Sequence, residues 1–132
     1  MNEPERRGLY MDAEDLRTAE LTLREGIFAQ TCFHAQQCAE KALKALLVAR
    51  TGRASPRTHF IAELLQLLPA TLRQKAPIDL AAILDTYYVT TRYPDAIVGS
   101  LPEALPGRDD ARQALDLARE ALLWVERQIY DP

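Results

Sequence analysis

The stretch "FHAQQCAEKALKALL", residues 33–47, decides the fold. No proline or glycine interrupts it, and Ala, Leu, Lys, Glu and Gln are all good helix formers. Around it, Phe28, Cys32, Ala35, Ala39, Ala42, Leu46 and Ala49 recur at alternating steps of four and three. That stripe belongs to a long helix packed nearly parallel or antiparallel to its neighbours. Small residues dominate it, so close helix approach is expected. The helix is predicted over 27–51, with Gly52 as its C-terminal stop. Phe33, Leu43 and Leu47 lie roughly 70 to 150° around the wheel from the stripe and form a second apolar side. Either this helix is central in a bundle or its second side is a homodimer interface.

Polar residues are threaded through the same stretch. His34, Gln37 and Lys41 follow i, i+3, i+7 and align on one side, where they are either a solvated face or a site. Gln36, Glu40 and Lys44 form a second row. Glu40 and Lys44 read as an i, i+4 ion pair worth only ~0.3 to 0.5 kcal/mol if exposed, and that row is expected to be structural.

The flanking chain is helical as well. Asp12 is the expected N-cap of a first helix, with Asp15 three residues on; Leu16, Ala19, Leu23 and Ile27 then recur, and Gly26 marks the end. After "GRASPR", Thr58 is expected to cap a short helix carrying Phe60, Ile61, Leu64, Leu65 and Leu68 that Pro69 terminates. Pro77 suits the first turn of the next helix, which carries Leu80, Ile83, Leu84 and Tyr87 on one side. Three prolines and two glycines over 94–108 forbid regular structure there, and a segment of that length in a small domain is usually functional or mobile. A last helix starts at Asp109 or Asp110, where Ala111, Ala114, Ala118, Ala121 and Val125 again step by three and four. The reading is all-α: one domain, 1–132, folded as an up-and-down bundle of four long helices plus one short helix.

Bulk properties set the outer limits. A chain of 132 residues, 48% hydrophobic and 27% charged, has the composition of an ordinary globule and buries roughly two-thirds of its unfolded surface without staples. The net charge of −3 excludes a global basic field and leaves room only for a local patch. No stretch approaches the ~18 apolar residues of a membrane span, and the N-terminus has no apolar run, so a cytoplasmic location is expected. Cys32 and Cys38 fall roughly 240° apart on one helix and cannot bridge each other; they read as packing thiols in a reducing compartment.

The loops carry the remaining chemistry. "GRASPRTHF" supplies Arg53, Arg57 and His59, and "TRYPDA" supplies Arg92, Tyr93 and Asp95. Guanidinium groups beside aromatic rings suit bidentate phosphate binding with a base stacked on Tyr93 or Tyr88. The alternative is that Arg92 and Asp95 pair with each other across a turn. Metal-free RNA cleavage needs an Arg and a His converging on one phosphate, the His moving the 2′-OH proton and the Arg stabilising the phosphorane. Neither His34 nor His59 has Glu three residues before it, no Gly-rich phosphate loop precedes a helix, and neither Cys has a paired base. No metal or cofactor is expected.

Taken in order and spacing, "CFHAQQCAEKALKALL", "THFIAELL" and "TRYPDA" resemble the minimal HEPN domain of bacteria and archaea, over about residues 12–125. The resemblance implies a helical bundle that dimerises and that often pairs with a separate minimal nucleotidyltransferase protein in a toxin-antitoxin-like module. It also implies nucleotide or RNA binding, with the candidates His34, Gln37, Lys41, Arg53, His59, Arg92, Tyr93 and Asp95. In this family the His-x-Gln-Gln-x-x-Glu-Lys stretch lines the dimer or a polar cleft. His34, Gln37 and Lys41 would then find partners among Thr58, His59 and Arg92. Many members are metal-independent ribonucleases with an Arg-x(4-6)-His motif near the start of a late helix. Here Arg92 and Asp95 stand in the matching region and no His follows. Arg53-x5-His59 has the letters of the motif but lies in an earlier loop. Expectation therefore favours a binding protein, with a ribonuclease toxin and a bare interaction module as alternatives.

Overall fold

The computed structural model describes residues 3–92 and 105–130, with side chains described over 12–88 and 105–130. Every regular element in it is a helix: α1 (Glu3–Arg24), α2 (Phe28–Thr51), α3 (Ile61–Gln66), α4 (Ala70–Arg73), α5 (Leu80–Arg92) and α6 (Arg108–Tyr130). Four are long, as the periodicity requires. The expected single short helix is two, because α3 ends at Gln66 and Pro69 stands at the N-cap of α4 instead of terminating α3.

Glycine sets two of the ends. At Gly26 (φ 78°) the Gly26 N–H donates to the Leu23 carbonyl and the Ile27 N–H to that of Thr22, the bond pair of a Schellman turn. At Gly52 (φ 67°) one N–H bond to the Val48 carbonyl closes α2. Asp12 is not an N-cap: α1 begins at Glu3, and Asp12 lies within it. The N-terminus of α3 is instead held across the chain, with the Asp85 carboxylate of α5 accepting from Ile61 N (2.6 Å) and Ala62 N (2.9 Å). Those are orphan donors of a helix start, so a carboxylate there is favoured twice, by hydrogen bonds and by the helix dipole.

α2 is the centre of the bundle, packed against α1, α3, α5 and α6. Its small-residue stripe faces that of α6: Cys32, Ala35, Ala39, Ala42 and Leu46 are fully buried, as are Ala111, Ala114, Ala118, Ala121 and Val125. On the second apolar side of α2, Leu43 and Leu47 are buried in the same core and Phe33 is half-buried, so most of that side is covered by helices of its own molecule.

Candidate functional site

Because α2 is surrounded, Gln36 and Glu40 are buried and His34, Gln37, Lys41 and Lys44 are half-buried. They fall into two networks, one toward α1 and one toward the α2–α3 loop and α5.

Toward α1, Asp15 collects two partners from α2: His34 Nδ1 at 3.0 Å from Oδ1 and Lys41 Nζ at 2.6 Å from Oδ2. Burial alone would push the Asp15 carboxyl up, but the hydrogen bonds and charges of His34 and Lys41 outweigh it and hold the group below its ordinary value. One turn earlier Asp12 is fully buried, and neither of its carboxylate oxygens has a hydrogen-bond partner among the described residues. Desolvation pushes its pKa up to about 9, against the pull of Lys41 and with added repulsion from Asp15, so Asp12 is a neutral carboxylic acid at pH 7. Cys38 is buried in the same region, and burial raises its thiol pKa.

Toward α5 the centre is Glu40, whose side chain is only 5% exposed. Its Oε2 receives Lys44 Nζ at 3.0 Å and lies 3.2 Å from His59 Nδ1; its Oε1 accepts from Gln36 Nε2 at 3.2 Å. Gln36, fully buried, also donates to the His59 carbonyl at 3.1 Å, and Gln37 Nε2 donates to Gln36 Oε1 at 2.7 Å. His59 is thus fixed at its backbone and at one ring nitrogen. Its ring stacks on Tyr88 of α5, with centroids 5.1 Å apart and planes 13° apart, and Phe60 meets the same tyrosine edge-on.

In the row Gln36, Glu40 and Lys44, the Glu40–Lys44 ion pair forms as its spacing allows, with Glu40 buried and the hub of the second network. His34 and Lys41 are half-buried and pair with Asp15 of α1 instead of with Thr58 or His59, the side chain of Arg92 lying outside the described residues. Thr58 is engaged with Glu63 and the Phe60 N–H. Gln37 joins the other network, so the row His34, Gln37, Lys41 is divided between two sites.

Arg53 is exposed and lines a cleft of about 250 Å³ with Leu47, Thr51, Ala54, Pro56 and Leu67, a set without His59. Among the described residues no hydrogen bond or ion pair joins Arg53 to His59, whose ring nitrogen is held by Glu40. Arg92 is the last residue of α5, four positions after Tyr88; its side chain, together with Tyr93 and Asp95, lies outside the described residues. So does most of the 94–108 segment, apart from 105–108.

Sequence reasoning does not single out Asp12, Asp15 and Asp85 as site residues. A signal exists for the first two: Asp12 and Asp15 precede Ala19 by seven and four positions, so they continue the apolar stripe of α1 instead of capping it. Asp85 carries no such signal, since its partners are backbone groups of a distant helix.

Chemically, the second network is an imidazole with a fixed orientation. A carboxylate acceptor at Nδ1 places the proton there and leaves Nε2, on a side chain that is 50% exposed, unengaged by any described residue. Such a nitrogen can bond a ligand or move a proton. Among the described residues no group of His, Cys, Asp or Glu is arranged to hold a metal ion, and no helix is long and apolar enough to cross a membrane.

The comparisons with known proteins agree with this architecture. The model of the HEPN domain matches residues 11–128. The crystal structure of TT1696 from Thermus thermophilus is 41% identical and superposes with a TM-score of 0.80, covering 94% of this chain and 97% of that one. The structure of ST0689, described as an archaeal HEPN homologue, is 33% identical with a TM-score of 0.73, covering 98% and 99%. No curated protein matches. With a central helix that carries both polar networks and a family match spanning nearly its whole length, the chain belongs to the HEPN domain family.

Proposed function

We propose that this HEPN protein is a cytoplasmic homodimer that binds a nucleotide or RNA phosphate at the Glu40–His59 network and docks a minimal nucleotidyltransferase partner in a toxin-antitoxin-like module. The carrying observation is His59. A buried carboxylate holds one ring nitrogen, a tyrosine stacks on one face, and half of the side chain is open to solvent. A residue needed only to pin the loop would be served by its backbone carbonyl, which Gln36 already holds. The exposed imidazole supplies a hydrogen-bonding group held in place by its stack on Tyr88, and such ring-bearing surfaces are what single-stranded nucleic acid uses. Lys44 adds a positive charge to the same carboxylate, so the cluster does not repel an anion.

Partner docking rests on the family resemblance and on apolar surface that one protomer leaves open. Leu21 of α1 and Leu123 of α6 are each about half exposed, at 46% and 53%. Large aliphatic side chains in the open suit a protein interface.

The test is incubation of the purified protein with labelled single-stranded RNA in EDTA, with His59→Ala beside it. Retention of intact RNA by the wild type, weakened by the substitution, supports the binding role. Cleavage in EDTA that His59→Ala abolishes would replace it with the ribonuclease reading. Co-purification with a nucleotidyltransferase encoded beside this chain tests the partner, and failure of the two to associate removes it.

A further inference from the structure

A groove of about 390 Å³ runs between the C-terminal end of α1 and the N-terminal half of α6, and it shares no residue with the Glu40–His59 network. Four guanidinium groups line it: Arg24, the last residue of α1, and Arg108, Arg112 and Arg119 of α6. In a chain whose 16 Lys and Arg are outnumbered by 19 Asp and Glu, that concentration runs against the overall charge. At positions i, i+4 and i+11 the three arginines of α6 fall within roughly 40° of one another around the axis, a single face. Leu23 and Leu115 complete the walls.

The two carboxylates in the groove do not neutralise it. Glu20 and Asp116 both bond Arg119, at 3.5 Å and 3.4 Å. No carboxylate among the described residues pairs with Arg24, Arg108 or Arg112. Arg108 lies over the Phe28 ring, 5.0 Å from its centroid, which orients the guanidinium without cancelling its charge. Asp109 and Asp110 answer the dipole of the first turn of α6. Like charges gathered in one groove repel, and an anion relieves that repulsion. On the far side of Arg112 the surface turns acidic at Asp79, Asp109, Asp116 and Glu120, which bounds the positive strip on one side.

We propose that this groove is a second anion site that carries the phosphate backbone of single-stranded RNA. In ligand class the proposal rests on the RNA reading above; in residues it is independent of it. Along the helix axis Arg108 and Arg112 are ~6 Å apart and Arg112 and Arg119 ~10 Å apart. A strip of that length is matched by a strand bearing several phosphates and exceeds a single carboxylate or one phosphate. Guanidinium forks bind phosphate bidentately, and the absence of base-reading groups on Leu23 and Leu115 makes the contact independent of sequence.

The experiment is fluorescence anisotropy with a labelled oligouridylate, titrated into the wild type, Arg24→Gln/Arg112→Gln, Lys75→Gln and His59→Ala across a salt series. Circular dichroism melts confirm that each variant is folded. The double variant is expected to bind about 10-fold more weakly or worse and to lower the salt slope by about 1.4, two single-strand phosphate contacts. Lys75→Gln, the same kind of charge change on an exposed residue outside the groove, is expected to leave affinity within about twofold. Unchanged affinity in the double variant overturns the groove, and an equal loss in Lys75→Gln does so by showing a generic charge effect. Competition by polyglutamate as effective as by unlabelled RNA, or ATP binding as tight as the oligouridylate, overturns the RNA assignment. Loss in His59→Ala alone leaves the network standing and removes the groove, whereas loss in the double variant alone does the reverse.

Discussion

Glu40 Oε2 of α2 lies 3.2 Å from His59 Nδ1, nineteen residues further along the chain, and that contact joins the central helix to the loop that follows it. The same carboxylate holds Lys44, so its loss leaves an ammonium 18% exposed with no counter-charge. Glu40→Gln should therefore destabilise the fold by about 2 to 4 kcal/mol, somewhat below the ~3 to 5 kcal/mol of a fully buried pair because Lys44 keeps some contact with water. Denaturant titration monitored by circular dichroism checks it. A change under about 0.5 kcal/mol would show that the network contributes no net stability.

Asp12 makes a prediction of opposite sign. Its pKa is about 9 in the folded chain against 3.8 for the ordinary group, so between those values the folded state holds a proton that the unfolded state has released. Stability from this group is complete below about pH 4 and is lost as pH rises toward 9, after which the slope vanishes. Asp12→Asn removes the titration. It should be more stable than wild type by about 1 to 3 kcal/mol at pH 8 and nearly equal to it at pH 4. Equal stability at both values would show that Asp12 has an ionised-state partner.

Asp15 titrates the other way. His34 and Lys41 lower its pKa, so its contribution is present above the ordinary carboxylate value and lost as pH falls through the folded value. Asp15→Asn should cost about 1 to 3 kcal/mol at pH 7 and distinctly less at pH 3. Thermal melts across that range measure both.

Cys32 and Cys38 are fully buried, and burial pushes the Cys32 thiol up to about 12 and Cys38 further. Neither forms thiolate at neutral pH. A disulfide reagent should label both only at the rate of unfolding, in native buffer, and at once in denaturant. Rapid labelling of the native protein would contradict their placement.

Gly52 needs its positive φ of 67° and nothing else, since a Cβ there would meet nothing within 4 Å. Gly52→Ala should cost about 1 kcal/mol from backbone strain alone.

Helix content, helix ends at Gly26 and Gly52, and the buried alanine stripes of α2 and α6 are legible in the sequence because period and punctuation are local. The polar partners are not. A helical wheel shows that His34 and Lys41 share a side of α2, but not that Asp15 of α1 lies against it. Asp15 itself reads as part of a cap because acidic residues near a helix start usually are, and only the true start at Glu3 places it mid-helix. Glu40 illustrates the same limit: an i, i+4 pair looks identical in sequence whether water or the loop bearing His59 covers it. Which of the two applies depends on residues far apart in the chain.

The imidazole of His59 gives the most direct test. With the protein labelled at its histidines, a short oligouridylate is titrated in and the ring resonances are followed by NMR, with Tyr88→Ala as the companion variant. The account predicts saturable shifts of the His59 signals at the same midpoint as RNA binding, weakened when the Tyr88 ring that stacks on His59 is removed. His59 signals that stay fixed while RNA saturates the protein, or no binding at all, would contradict it.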